Sequence, residues 1–203
     1  MSDATIFIID DELAVRDSLS MMLEQERYQV KVFDSGEAFL SAYQEDVLGC
    51  AIIDVRMPNM SGLQLQERMA ERELLLPIIF LTGHGDIPMS VEAMKSGAAD
   101  FLTKPVTRDK LLTSIRPALI ESDKKLSQAA CIQEAKTLLA SLTEREHEVM
   151  ILAINGFPNK EIARRLKISH RTVEIHKSKI MHKTGAINLL DLASIAREGG
   201  CRI

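Results

Sequence analysis

A chain of 203 residues, 46% hydrophobic and 27% charged, has ordinary globular composition and length for one or two domains with modest cores. No run approaches the roughly 18 apolar residues of a membrane span and no leader-like start is seen, so a cytoplasmic protein with no membrane partner is expected. The net charge of −4 is unevenly spread: residues 1–120 hold 11 Lys+Arg against 19 Asp+Glu, and residues 121–203 hold 14 against 10, which suits nucleic-acid binding by the second half.

Short apolar strands alternate with amphipathic helices through the first half. Ala4 to Ile9 reads as a buried strand, followed by a helical stripe of Val15, Leu19, Met22 and Leu23. Val30 to Phe33 is a second strand, and Ser35 can cap a helix bearing Phe39, Leu40 and Tyr43. Cys50 to Ile53, Ile78 to Thr82 and Ala99 to Leu102 supply three more strands, with helices predicted near 62–71, 86–96 and 107–120. Continuous apolar strands between helices imply a parallel sheet covered on both faces, with functional loops at the carboxyl ends of the strands. Pro117 is expected to kink or end the last of these helices.

Residues 121–137 are polar and read as a helical or mobile linker. Beyond them Thr143 and Glu146 form a capping box opening a helix to Ile154, closed by Gly156. A short helix over Asn159–Leu166 turns inward Ile162, Ala163 and Leu166, and a tight turn at 167–169 leads to a third helix from His170 to Lys183. Ser169 can cap that helix, Gly185 stop it, and Asn188 cap a fourth, giving an all-α four-helix unit. The three separated cysteines, Cys50, Cys131 and Cys201, suggest neither a disulfide framework nor a zinc site.

The alternation brings Asp10 and Asp11 after strand one, Asp54 after strand three, Thr82 after strand four and Lys104 after strand five to one sheet edge. Three carboxylates there repel unless a cation joins them, and an all-oxygen acidic site favours a hard ion such as Mg²⁺. A lysine and a threonine alongside suit a phosphoryl group, for which a carboxylate is a competent nucleophile.

The motifs I-I-D-D-E at Ile8 to Glu12, D-V-R-M-P at Asp54 to Pro58, L-T-G-H at Leu81 to His84 and F-L-T-K-P at Phe101 to Pro105 resemble the receiver domain of two-component response regulators. The resemblance implies a flavodoxin-like (βα)5 doubly wound fold over residues 1–120. It makes Asp54 the phosphoacceptor, with Lys104 and Thr82 serving the phosphoryl group. Asp10, Asp11, Asp54 and the Arg56 carbonyl would hold Mg²⁺, Thr82 and Phe101 would form the switch, and the Lys104-Pro105 bond would be cis. The other aspartyl-phosphate class weighed is the haloacid-dehalogenase-type phosphatase, whose D-x-D follows its first strand. Here the first carboxylates are adjacent and the third comes much later.

The segment NKEIARRLKISHRTVEIHKSKIMHK from Asn159 to Lys183 reads as helix, tight turn and basic helix, the arrangement of a helix-turn-helix that enters the major groove. Arg171, Lys177, Lys179 and Lys183 offer phosphate or base contacts, and Thr172, Glu174 and Ser178 can meet base edges. With L-T-E-R-E-H-E-V at Leu142 to Val149, the segment resembles the LuxR/FixJ-type DNA-binding domain over 138–203. The resemblance packs Leu166, Val173 and Ile180 inside and turns Asn159, Lys160, Arg171, Thr172, Glu174, Lys177 and Ser178 to DNA. Pro158 stands where many members carry Ser or Thr, removing a hydroxyl cap while suiting a helix start.

Taken together, the resemblance implies a transcriptional regulator of the FixJ/NarL type and not an enzyme. A sensor histidine kinase phosphorylates Asp54, a homodimer forms, and an operator in double-stranded DNA is bound, with RNA polymerase a further partner. A face with Val91, Met94 and Lys95 is expected to pair the receivers. The alternative is a constitutive DNA-binding regulator whose receiver is never phosphorylated.

Overall fold

A computed structural model describes residues 4–43, 47–83 and 93–201. The chain divides into two compact units, Met1–Leu126 and Ser127–Ile203. Among the described residues no helix is long and apolar enough to cross a membrane.

The first unit is built on five parallel strands, β1 Thr5–Ile9, β2 Gln29–Phe33, β3 Gly49–Asp54, β4 Ile78–Thr82 and β5 Asp100–Thr103, in the order β2-β1-β3-β4-β5. Helices α1 Leu13–Gln25, α2 Gly36–Ala42 and α3 Gly62–Glu71 connect them. This is the flavodoxin-like doubly wound arrangement expected. The strand order reverses between β1 and β3, which opens a crevice outside their carboxyl ends.

Strands β1, β3 and β4 are buried throughout because both sheet faces are covered. Their side chains alternate between two cores: Phe7, Ile9, Ile53 and Phe80 pack with Phe39, Leu65 and Met69, while Ile6, Ile8, Ile52 and Ile79 pack with Leu19, Leu23, Leu111 and Ile115. The edge strand β2 leaves Val32 exposed. Local chemistry sets the helix starts. The Ser35 hydroxyl accepts the Ala38 N–H, and Ser61 and Gln64 form a capping box at α3.

Most of the helix expected over 86–96 lies outside the described residues; residues 93–95 are helical, and Gly97, at φ 87°, takes the left-handed conformation that ends a helix cheaply.

Helix α4 does not end at Pro117, and it makes the polar stretch helical, one of the two states its sequence allows. It runs unbroken over Arg108–Ala140, through Pro117 and through the whole polar stretch 121–137. A proline inside a helix removes one hydrogen bond and costs about 3 kcal/mol. Here Leu111, Leu112, Ile115 and Ala118 bury one face of the same helix on the sheet, enough apolar surface to offset that loss. Past Pro117, Ser122 is buried and its Oγ accepts the Gly49 N–H at 3.2 Å. The two compact units divide within this helix, and Leu139, near its end, belongs to the core of the second.

That second unit adds α5 Glu144–Ile154, α6 Asn159–Leu166, α7 His170–Thr184 and α8 Leu189–Glu198. Val149, Met150, Ile162, Val173, Ile180, Leu192 and Ala196 form its core. Thr143 and Glu146 make the capping box of α5, Ser169 caps α7 by accepting from the Thr172 N–H, and Asn188 caps α8 through the Asp191 N–H. Gly185, at φ 72°, ends α7. Helix α6 starts at Pro158 with no side-chain cap, as its sequence implies, and ends on Lys167 in the left-handed region.

Lys183, read as a DNA contact, is instead committed internally. Its ammonium donates to Glu146 Oε2 at 2.7 Å and to the Ser141 carbonyl at 3.0 Å. Lys183 and the Thr143 N–H hold the almost fully buried Glu146 carboxyl at about 2, below its ordinary 4.5. A carboxyl held down in this way stabilises the fold fully above pH 4.5, and the contribution fades as pH falls toward 2. Glu146→Gln is therefore expected to destabilise the second unit by about 1–3 kcal/mol at neutral pH, in urea unfolding followed across pH. The gap to wild type should close on acidification; a pH-independent gap would contradict the pairing.

Candidate functional site

The carboxyl edge of the sheet collects the acidic and basic residues picked out in the sequence. Asp10 follows β1, Asp54 is the last residue of β3, Thr82 the last of β4, and Lys104 follows β5. Parallel register brings Ile9 level with Ile53, Asp54 with Leu81, and Thr82 with Thr103. The Lys104 N–H donates to the Thr82 carbonyl at 2.7 Å, and the Lys104-Pro105 peptide is cis.

The Lys104 ammonium is the hub. It lies 2.7 Å from Asp10 Oδ2, 3.0 Å from Asp54 Oδ1 and 3.7 Å from Glu12 Oε1. The second oxygen of each buried aspartate takes a backbone N–H two residues on, Glu12 to Asp10 Oδ1 at 2.9 Å and Arg56 to Asp54 Oδ2 at 3.0 Å. Arg16 donates to the Asp10 carbonyl at 2.6 Å. Asp10, Asp54 and Thr82 are buried, whereas Asp11, Glu12 and Arg56 are exposed.

Burial raises the Asp54 carboxyl above its ordinary value against the opposing pull of Lys104, and the Asp10 charge adds to the rise. Burial alone would lower Lys104, but its hydrogen bonds to Asp10 and Asp54 override this and hold the ammonium above its usual range, so it stays charged. Two buried carboxylates thus share one cation.

Of the proposed metal ligands, Asp10 and Asp54 converge, and the exposed Asp11 stands apart from their contacts. Among the described residues no three His, Cys, Asp or Glu side chains gather as a ready cage. The donors that do meet are carboxylate oxygens beside the Arg56 main chain, with an excess of negative charge, a set that fits Mg²⁺ with water completing its shell.

Phe101 is half-buried with its ring centroid 6.3 Å from that of Phe80. Its N–H donates to Asp100 Oδ1 at 2.7 Å, and Asp100 Oδ2 accepts from Ser114 Oγ. The sequence reading passed over Glu12, Arg16 and this Asp100–Ser114 pair. Glu12 stands in the quoted I-I-D-D-E motif and could have been drawn from it; nothing in the local pattern marks the other three. Gly62 was missed as well: a Cβ there would lie 2.4 Å from the Asp54 carbonyl oxygen, so only glycine lets α3 start against the Asp54 backbone. Of the face expected to pair receivers, Val91 lies outside the described residues, and Met94 and Lys95 are exposed.

In the second unit, α6, the left-handed turn at Lys167 and α7 form a helix-turn-helix. Lys160, Arg171, Glu174, Ser178 and Lys179 are exposed. Lys177 is half-buried and donates to Asn159 Oδ1 at 3.2 Å, so these two first satisfy each other. The Thr172 hydroxyl lies 2.7 Å from the capping Ser169 hydroxyl, and His170 sits 3.5 Å from Glu174.

Residues 6–116 match the response regulator receiver domain, and residues 140–196 match the bacterial regulatory proteins of the luxR family. The chain is 41% identical over 195 residues to the transcriptional regulatory protein FixJ of Bradyrhizobium diazoefficiens, covering 96% of this chain and 95% of that protein. It is 42% identical to the response regulator protein TmoT of Ectopseudomonas mendocina, covering 95% and 88%. Among solved structures, the response regulator StyR superposes with a TM-score of 0.88 at 37% identity over 97% of this chain and all of that one. Full-length FixJ from B. japonicum gives 0.59 at 39% identity, covering all of both chains.

The crowding of Asp10 and Asp54 around one ammonium makes a thermodynamic prediction. In the presence of a chelator, Asp54→Asn should stabilise the first unit by about 1 kcal/mol in urea unfolding, the scale of one relieved like-charge contact. Added Mg²⁺ should stabilise wild type more than the variant. A variant less stable than wild type in chelator, with an equal response to Mg²⁺, would show that the carboxylates are not in competition.

Proposed function

This chain belongs to the two-component response regulators that join a receiver domain to a LuxR-family DNA-binding domain, and on that premise we propose that phosphorylation of Asp54 by a sensor histidine kinase drives dimerisation and sequence-specific binding of double-stranded DNA. The observation that carries this reading is the position of the Lys104 ammonium, within 3.0 Å of Asp54 Oδ1 and 2.7 Å of Asp10 Oδ2 at the carboxyl edge of the sheet.

In the transfer, the P–N bond of a kinase phosphohistidine breaks as an Asp54 carboxylate oxygen bonds phosphorus, and the histidine leaves as imidazole. The Arg56 N–H on Asp54 Oδ2 orients the nucleophile. Lys104, already charged, moves from the carboxylates to the incoming phosphoryl oxygens. Asp10, Asp11, Asp54 and the Arg56 carbonyl would hold Mg²⁺, directly or through water, and the ion would supply further neutralisation of the phosphoryl charge. Thr82 donates its hydroxyl to a phosphoryl oxygen, and Phe101 follows it inward. The face containing Val91, Met94 and Lys95 then pairs two receivers.

The domains in this reading are the receiver over 1–120, the connecting residues 121–137 and the DNA-binding domain over 138–203. Asn159, Lys160, Arg171, Thr172, Glu174, Lys177 and Ser178 meet DNA. Two copies reading paired half-sites supply the affinity that one unit, with Lys183 tied to Glu146, reaches less readily. RNA polymerase is the further partner of such a regulator.

Incubation with acetyl phosphate and Mg²⁺ is expected to add one phosphoryl mass to wild type, mapped to Asp54, and none to Asp54→Asn; equal labelling of both would overturn the assignment. On a duplex selected from a random pool by the phosphorylated protein, Arg171→Ala should cost about 1–3 kcal/mol and relax preference at one base position. Lys160→Ala should instead weaken all duplexes alike and reduce the slope of log affinity against log salt by about 1. If Arg171→Ala leaves both affinity and base preference unchanged, α7 is not the reading helix.

A further inference from the structure

The first unit contains a buried polar side chain that the pocket around Lys104 does not use. Gln66 lies in the middle of α3 and is 5% exposed. Its Nε2 donates to two backbone carbonyls ahead of β5, Ser96 at 3.0 Å and Ala93 at 3.4 Å. These carbonyls bracket Met94 and Lys95, at the end of a helical stretch. Two local bonds close the same turn, from the Gly97 N–H to the Met94 carbonyl and from the Ala98 N–H to the Ala93 carbonyl. An apolar residue could fill the volume of Gln66 with less desolvation, so the amide is worth burying only for what it holds.

What it holds is connected to the Asp54 loop by the same helix. Gly62 stands four residues before Gln66, on the same side of α3. Its N–H donates to the Val55 carbonyl at 3.0 Å, and its Cα packs so close to the Asp54 carbonyl that no Cβ would fit. Helix α3 therefore rests at one end on the backbone of Asp54 and Val55 and grips residues 93–96 one turn later.

We propose that Gln66 is a positioning residue of the switch, which couples the exposed pair Met94 and Lys95 to the Asp54 backbone through α3. This route is separate from the one through Thr82 and Phe101, and it rests on the reading of Asp54 as phosphoacceptor. Phosphorylation shifts the backbone after β3, α3 carries the shift, and the two donated hydrogen bonds pass it to the carbonyls on either side of the exposed face.

The test uses the full-length chain and nuclear magnetic resonance, with beryllofluoride and Mg²⁺ standing in for the phosphoryl group. In wild type, signals from the Val55 amide, the Gln66 side-chain amide and the Lys95 amide should all move. In Gln66→Met, which keeps the volume and loses both donors, the Val55 response should persist while the Lys95 response falls by about threefold to tenfold. Responses of wild-type size at Lys95 in Gln66→Met would overturn the proposal. So would a Gln66 side-chain signal in wild type that stays fixed while Lys95 moves, a result independent of how well the variant folds. If Val55 and Lys95 are both unmoved in wild type, the Asp54 reading fails, and the Gln66 proposal with it.

Discussion

Charge balance at the carboxyl edge of the sheet is the constraint on which the rest of the first unit depends. Asp10 and Asp54 are removed from water within reach of a single ammonium, whose charge offsets part of the cost of burying them. The lysine must therefore arrive at a fixed place, which β5 and the turn after it provide. Parallel register delivers the aspartates, because side chains that alternate between two covered faces leave only strand ends free to carry polar groups. On the proposed reading, a phosphoryl group on Asp54 would compete with both carboxylates for Lys104, so its arrival would exchange one set of contacts for another.

Much of this was legible in the sequence because it is written in short-range chemistry. Apolar runs such as Ile78 to Thr82 read as buried strands, and Ser35, Thr143, Ser169 and Asn188 announce helix starts through hydroxyl and amide groups that cap orphan N–H donors. The convergence of Asp10, Asp54, Thr82 and Lys104 follows from the alternation of strands and helices, which sets the ends of parallel strands at one sheet edge. Asp11, adjacent to Asp10, is exposed where Asp10 is buried, a difference that the strand pattern alone does not give.

What remained illegible depends on contacts between residues far apart in the chain. Pro117 is a breaker by local rules, yet Ile115 and Ala118 on either side of it are anchored to the sheet, and the helix continues through the polar stretch to Ala140. Lys183 looks like one more cation on a basic helix until Glu146, 37 residues earlier, is found beside it. Lys177 and Asn159 likewise answer each other across the turn. The basic character of α7 is thus smaller at its surface than in its sequence. Gln66 belongs to the same class, an ordinary helical residue whose meaning lies in carbonyls 27 and 30 residues away.

The measurement that bears most directly on the central claim is light scattering on size-separated full-length protein, wild type and Asp54→Asn, with Mg²⁺ and with or without beryllofluoride. The account predicts that wild type alone passes from monomer to dimer when beryllofluoride is added. Unchanged mass in wild type, or an equal shift in Asp54→Asn, would contradict control of self-association by a phosphoryl group on Asp54.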